Sequence, residues 1–118
     1  MEKGLMFRMR CNLGGRDETY LNMIDYDTQQ LIGVVRLDHD NSKSATILGL
    51  FVSEDFRRKG VGTRLVSACV RIAQRSGCLT VGLLIESPNS ELIQFYSGLG
   101  FGFGYQYEGG GELWLRNL

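Results

Sequence analysis

Residues 45–76 read ATILGLFVSEDFRRKGVGTRLVSACVRIAQRS, and the hydrophobic period changes within this stretch. Ala45–Val52 is almost wholly apolar, which predicts a central strand covered on both faces. Gly49 inside it predicts a bulge or a close backbone approach. From Val61 to Ser76 the apolar residues recur at helical spacing, which predicts an amphipathic helix that Gly77 ends. The apolar stripe consists of Leu65, Ala68, Cys69, Ile72 and Ala73.

The segments on either side of this stretch are shorter and predict mainly strands. Further strands are expected at Leu5–Asn12, Glu18–Tyr26, Gln30–Leu37, Leu79–Ile85, Phe101–Tyr107 and Glu112–Arg116, and a second helix from Ser87–Ser90 to Gly98. The element order is β-β-β-β-α-β-α-β-β. Strands four and five flank a helix, which favours a right-handed parallel crossover. We therefore predict one α/β (α+β) domain over residues 1–118, with a mixed sheet of about seven strands and two main helices.

Composition excludes several classes of function. Lys plus Arg and Asp plus Glu each number 13, so the net charge is zero, which argues against a nucleic-acid partner. The three cysteines form no CxxC pair, so we expect no disulfide framework, no bound metal and a reducing compartment. The start, Met1–Arg8, has no apolar run long enough for a signal peptide. The longest apolar run, Ile47–Val52, is too short for a membrane span. These features predict a cytoplasmic protein with no membrane partner.

The basic turn Arg57–Thr63 carries the clearest chemical signal. It follows a strand and opens a helix, so consecutive backbone amides and the helix N-terminus can form an anion site. Gly60 and Gly62 allow a phosphate to approach the backbone closely. The alternative is a charged turn without a ligand. The turn is neither a Walker loop nor a dinucleotide fingerprint, because GxxxxGK[ST] is absent and Leu65 occupies the place of the third glycine.

Two motifs together resemble a known family. Arg57–Gly62 has the form Arg-x-x-Gly-x-Gly, and Asn89–Tyr96 has the form Asn-x-x-Leu-x-x-Phe-Tyr, followed by Leu99-Gly100-Phe101. In their strand and helix context they resemble the signatures of the GCN5-related N-acetyltransferase (GNAT) superfamily. The resemblance covers roughly residues 45–116 and implies the GNAT-like acyl-CoA N-acyltransferase fold.

The resemblance implies acetyl-CoA as the acyl donor, lying in a gap between the fourth and fifth strands. Amides from Arg58 to Thr63 would hold the pyrophosphate, and Asn89 would bond the pantetheine arm. Tyr96 would protonate the leaving thiolate; a core aromatic is the alternative for this residue. The implied coenzyme-binding residues are Leu50, Phe51, Val52, Arg57, Arg58, Lys59, Gly60, Val61, Gly62, Thr63, Asn89 and Tyr96.

The general base is absent from its usual places. Some family members carry Glu twelve residues before the tyrosine, where this chain has Leu84. Glu86 lies on the same strand face and is the nearest substitute, although it also suits a solvated strand end. An ordered water is a further alternative for the base. His39, in the predicted loop Asp38–Ser42, is expected to be solvated rather than catalytic.

The connection between the first two strands is also unusually short. Only Leu13–Asp17 separates the first two strands, where family members usually have two helices that wall the acceptor site. The acceptor side should therefore be open, and Leu92, in place of the usual Ala, should push the second helix outward. We expect a homodimer, with a protein acceptor or a shielded monomer as alternatives. The expected dimer face comprises Met6, Met9, Leu21, Met23 and Tyr26.

The sequence thus predicts an N-acetyltransferase that moves an acetyl group from acetyl-CoA to a primary amine of a small molecule or a protein. The absent base leaves two alternatives open. One is a catalytically silent acyl-CoA-binding module. The other is an interaction domain that keeps only the fold.

Overall fold

The computed structural model describes residues 4–39 and 43–118. The element order agrees with the one predicted from sequence. The elements are β1 Gly4–Leu13, β2 Arg16–Asp25, β3 Leu31–His39, β4 Ser44–Val52, a 3-10 turn at Glu54–Phe56, α1 Val61–Arg75, β5 Thr80–Ile85, α2 Ser90–Gly98, β6 Gly102–Gln106 and β7 Glu112–Asn117.

All seven strands belong to one mixed sheet with the order β1-β2-β3-β4-β5-β7-β6. Strands β4 and β5 pair in parallel, and every other neighbouring pair is antiparallel. Helix α1 makes the crossover between the two parallel strands. The predicted fold class is confirmed.

Strands β1 and β2 form a long hairpin with a tight turn. They pair over their full length, from Gly4 opposite Asp25 to Leu13 opposite Arg16. Gly14 and Gly15 make the connection with φ angles of 61° and 84°, which side chains with a Cβ rarely adopt. The turn predicted at Leu13–Asp17 is therefore too long, because its outer residues already pair in the strands.

The core lies on one face of the sheet. Helix α1 packs on β3, β4 and β5, and Gly33 of β3 allows a close approach to Val61 and Leu65. Helix α2 approaches the first turn of α1, where the Phe95 ring lies against Gly62. The sheet residues in this core include Leu21, Met23, Val35, Leu37, Ala45, Ile47, Val81 and Leu83. The expectation that Leu21 and Met23 form an exposed dimer face is therefore wrong, because they point toward α1.

Strand β4 is covered on one face only. Ala45 and Ile47 are buried under α1, whereas Thr46 and Phe51 on the other face are exposed. The prediction of cover on both faces is wrong because α1 packs against one side of the strand only. Within the described ranges, no helix lies over the opposite side.

A polar cluster occupies the end of the sheet away from the N-terminus of α1. Asp38 and His39 belong to β3, not to the predicted loop, whose remaining residues 40–42 lie outside the described part of the chain. The His39 side chain is only 12% exposed and lies 3.6 Å from Asp17, so it is not freely solvated as expected. Arg10 and Asn12 hydrogen-bond to the Asp17 carboxylate and lower its pKa.

Candidate functional site

The two parallel strands separate halfway along their length. Ser44–Ile47 pairs with Thr80–Leu83, and Ile47 and Leu83 are the last residues in register. Gly49 follows with a φ of 63° at a register shift against β3, which confirms the predicted irregularity. The separation opens a cleft of about 520 Å³ between the two strands. The β4 backbone beyond Ile47 is therefore available on its β5 side to pair with an extended ligand.

The loop after β4 has the backbone of an anion site. Arg58 and Gly60 both have positive φ angles, 61° and 80°. Gly60 caps α1 without a side-chain hydrogen bond, and the first amides of a helix have no acceptor within the helix. The amides of Val61, Gly62 and Thr63 thus supply unused donors at the positive end of a 15-residue helix. They border a groove of about 900 Å³.

The three basic side chains of the loop differ in their contacts. Arg57 lines the groove and donates from Nε to the backbone carbonyl of Val52 at 3.0 Å. Arg58 also lines the groove. The Lys59 ammonium instead lies 5.6 Å from the centre of the Phe56 ring. The loop therefore presents Arg57 and Arg58 to a ligand in the groove, while Lys59 contributes charge from the side.

Tyr96 of α2 lines the cleft between β4 and β5. Its ring packs edge-on against Phe95 and Phe101, with centroid separations of 4.9 and 6.0 Å. The residue is 8% exposed, and burial raises its pKa. The Tyr96 side chain therefore packs among aromatic residues of the core and also borders the cleft. In the described part of the chain, no hydrogen bond to another residue engages its hydroxyl.

Asn89 is the N-cap of α2. Its side-chain oxygen accepts a hydrogen bond from the Leu92 amide at 2.9 Å, which fixes the start of the helix. Asn89 lines neither the groove nor the cleft, whereas Leu92 lines both. Leu92, which replaces the family's usual Ala, thus lines the passage between the groove and the cleft.

A second cavity adjoins the cleft. It has a volume of about 470 Å³ and is lined in part by Thr46, Tyr107 and Leu113. Leu84 and Glu86 line both this cavity and the cleft. Glu86 follows β5 directly and is exposed. The Glu86 carboxylate is therefore placed at the junction of the two spaces.

Sequence reasoning did not identify the lining of this second cavity. Ile85 pairs with Glu112, so the turn before β7 lies next to Glu86. At Gly111 an added Cβ would lie 3.8 Å from Glu86 Cα. The available signal was the glycine-rich turn at 109–111, but its proximity to β5 depends on β7 inserting between β5 and β6.

Among residues 4–39 and 43–118, no group of His, Cys, Asp and Glu side chains could hold a metal ion. The same residues include no helix long and apolar enough to cross a membrane.

A mixed sheet with parted parallel strands and an anion-binding loop defines the class of acyl-CoA N-acyltransferase folds. The family model for the acetyltransferase (GNAT) family matches residues 3–101. The chain therefore belongs to the GNAT acetyltransferase family.

Two curated relatives carry N-acetyltransferase names. An uncharacterized N-acetyltransferase of Methanocaldococcus jannaschii is 39% identical over 72 residues, which are 61% of this chain and 30% of that protein. The [ribosomal protein bS18]-alanine N-acetyltransferase of Salmonella typhimurium is 28% identical over 90 residues, which are 75% of this chain and 59% of the relative. The match thus spans less than two thirds of either relative.

Solved structures support the fold. The PaiA N-acetyltransferase of Thermoplasma acidophilum, crystallised with coenzyme A, superposes with a TM-score of 0.73 at 22% identity, covering 86% of this chain and 61% of that one. Ard1 of Thermoplasma volcanium superposes with a TM-score of 0.69 at 27% identity, covering 82% and 70%.

Proposed function

We propose that this protein transfers the acetyl group of acetyl-CoA to a primary amine. The observation that carries the proposal is the continuity of three spaces across the parted strands. The groove and the cleft share Leu50 and Leu92, and the cleft and the second cavity share Leu84 and Glu86. A long ligand could thus extend from the anion-binding loop through the groove to Tyr96 in the cleft. A second reactant could enter the cleft from the second cavity.

The coenzyme would follow the first two spaces. Its pyrophosphate would accept hydrogen bonds from the amides of Arg58–Thr63, including those of Lys59, Gly60, Val61 and Gly62. Its pantetheine arm would pair with the backbone of Leu50, Phe51 and Val52, as a strand added to β4. Asn89 lines neither of these spaces, so its proposed contact with the pantetheine arm depends on the amide NH₂, because its side-chain oxygen already accepts from Leu92.

Tyr96 is the proposed general acid. The neutral amine nitrogen attacks the thioester carbonyl carbon and loses its second proton to solvent, the C–S bond breaks, and the departing sulfur takes a proton from the Tyr96 hydroxyl. The raised pKa keeps this hydroxyl protonated at neutral pH, and a tyrosine is a suitable acid for a thiol leaving group. The solvent returns the proton to the tyrosine after coenzyme release.

Glu86 is the proposed base. An incoming amine is mostly protonated at neutral pH and must lose a proton before it attacks. At the junction of the cleft and the second cavity, the Glu86 carboxylate can accept that proton directly or through a water. The same negative charge would attract the ammonium form.

The second cavity is the proposed acceptor site. Tyr107, Leu84 and Leu113 give it a mostly apolar wall, so it suits an amine attached to an aliphatic or aromatic group. Its volume of about 470 Å³ suits a small molecule or one residue at a protein terminus. The name of the Salmonella relative concerns an alanine of a ribosomal protein, which supports including a peptide amine among the acceptors tested.

We also propose that residues 1–118 act as a single domain in the cytoplasm, with acetyl-CoA and an amine as partners and without a metal. The balanced charge and the free cysteines support this setting.

The test is an acetyl balance. The protein is incubated with acetyl-CoA and aliphatic, aromatic and peptide primary amines, and free thiol and acetylated amine are quantified by mass spectrometry. Equal amounts of both products are expected, and Glu86→Gln should lower the rate about 10-fold or more. Glu108→Gln, in the nearby turn, is the matched control and should keep the full rate.

The same samples, with acetyl-CoA binding measured by calorimetry, distinguish the alternatives. If acetyl-CoA binds but no amine is acetylated, the protein is a silent acyl-CoA-binding module. If acetyl-CoA does not bind at all, it is an interaction domain with the fold alone.

A further inference from the structure

The face of the sheet opposite α1 carries an exposed apolar surface, here called the open face. Pairing across the strands aligns Phe7 with Asn22, Asn22 with Val34, and Val34 with Phe51. Directly paired residues point to the same side of a sheet. These four side chains therefore form one row across β1, β2, β3 and β4.

Neighbouring residues extend this row. Leu5 pairs with Ile24, and Met9 pairs with Tyr20. Phe7 is 53% exposed, Met9 55% and Phe51 47%. Soluble monomers rarely expose apolar patches larger than a few hundred square ångströms. A row of exposed apolar side chains on a sheet face is typical of an interface.

The charges on the open face are neutralised within the chain. The Glu18 carboxylate lies 3.1 Å from Arg16 and 3.3 Å from Arg36, and it accepts a hydrogen bond from the Tyr20 hydroxyl at 2.9 Å. Arg36 is in turn held by Asp38. The face thus presents no excess of positive charge to a nucleic acid or an anionic membrane.

We propose that the open face is the interface of a homodimer, in which a second copy of the chain packs the same face against the first. Two copies of a chain with zero net charge do not repel each other. A stable interface buries about 800 Å² per partner, which is about half of the broad side of a molecule measuring 42 × 36 × 23 Å. Twisted sheets pack readily face to face.

The short turn of the first hairpin keeps the connection between β1 and β2 off this face. A two-residue connection between β1 and β2 leaves no chain between these strands that could fold back over the sheet. Strand β1 is also an edge strand. Covering its apolar side in a dimer would restrict the access of other chains to that edge.

The experiment uses two matched aromatic substitutions on the two edge strands. Phe7 lies on the open face of β1. Phe103 lies on β6, is 57% exposed and is paired with the core residue Trp114, so it points to the opposite face. Sedimentation velocity over a concentration series, with thermal unfolding of each variant, measures the outcome.

The wild type should be dimeric at micromolar concentration. Phe7→Asp should raise the dimer dissociation constant about 30-fold or more, as for loss of an interface hot spot, whereas Phe103→Asp should leave it unchanged. If Phe7→Asp does not fold, Met9→Lys serves the same purpose. Acetyl-CoA affinity is measured on the same samples, because coenzyme binding and dimerisation are separate properties.

A monomeric wild type would overturn the proposal, and so would equal effects of the Phe7 and Phe103 variants. A monomer that sediments with anionic phospholipid vesicles would assign the open face to a membrane instead.

Discussion

The Arg57 guanidinium donates from Nε to the backbone carbonyl of Val52 at 3.0 Å. Val52 is the last residue of β4, and Arg57 begins the loop that leads to α1. The bond therefore fixes the anion-binding amides relative to the strand that would pair with the pantetheine arm. The two halves of the proposed coenzyme site are connected by this contact.

Replacing Arg57 with Met should loosen that connection. The carbonyl of Val52 can bond to water instead, so we expect a loss of about 1 kcal/mol, or roughly 5-fold in acetyl-CoA affinity, measured by calorimetry. Arg71→Met, on the exposed side of α1, is the control for lost charge. Equal affinities in the two variants would show that the Arg57 bond does not organise the site.

Thr63→Glu tests the anion site without weakening the fold. Thr63 is exposed in the first turn of α1, where a carboxylate stabilises a helix by about 0.3–1 kcal/mol. The same carboxylate would repel a pyrophosphate. We expect an unchanged or higher melting temperature and a loss of acetyl-CoA affinity of about 100-fold or more.

The control for this substitution is Gln74→Glu, which adds the same charge near the other end of α1. It should leave acetyl-CoA affinity unchanged. A Thr63→Glu protein that binds acetyl-CoA normally would place the pyrophosphate away from this helix.

Tyr96→Phe should separate catalysis from binding. Removing the hydroxyl takes away the proposed proton donor but keeps the ring in its contacts with Phe95 and Phe101. We expect kcat to fall about 100-fold or more while the dissociation constant of acetyl-CoA stays nearly constant. Tyr26→Phe, at an exposed tyrosine, is the control. Wild-type turnover in the Tyr96 variant would reduce this residue to a packing role.

Burial of Tyr96 also predicts a pH dependence of stability. Its pKa is raised above the ordinary value of 10.0, so the folded protein holds the proton more tightly than the unfolded chain does. Any stability gained this way is present below that value and is lost as the pH rises through the folded pKa. Between about pH 9 and 11, thermal unfolding should show a larger loss of stability for wild type than for Tyr96→Phe. Parallel curves would contradict this assignment.

Local sequence patterns predicted most of the fold. The stripe of α1, the glycines of the turns and the irregularity at Gly49 each depend on residues close in the chain. The period-2 alternation of β4 was obscured because Leu48, Leu50 and Phe51 are apolar although they are not fully buried. Which face of a strand a helix covers is a tertiary property, so the burial of β4 and of Leu21 was misjudged.

In the candidate site, too, the parts that depend on local sequence could be predicted and the parts that depend on tertiary contacts could not. The anion-binding loop and the tyrosine lie in contiguous motifs and could be found from sequence. The wall formed by Thr46, Tyr107 and Leu113 could not be found, because three distant segments meet there only when β7 pairs with β5. The capping role of Asn89 could not be assigned from sequence either, because its hydrogen bond from the Leu92 amide depends on where α2 begins.

A crystal structure of the protein with acetyl-CoA tests the proposed coenzyme site and catalytic tyrosine most directly. We expect the pyrophosphate on the amides of Arg58–Thr63 and the pantetheine arm between β4 and β5. The thioester sulfur should lie within hydrogen-bond reach of the Tyr96 hydroxyl, with the acetyl group facing Glu86 and the second cavity. A coenzyme bound outside the gap between β4 and β5, or a sulfur remote from Tyr96, would contradict this proposal.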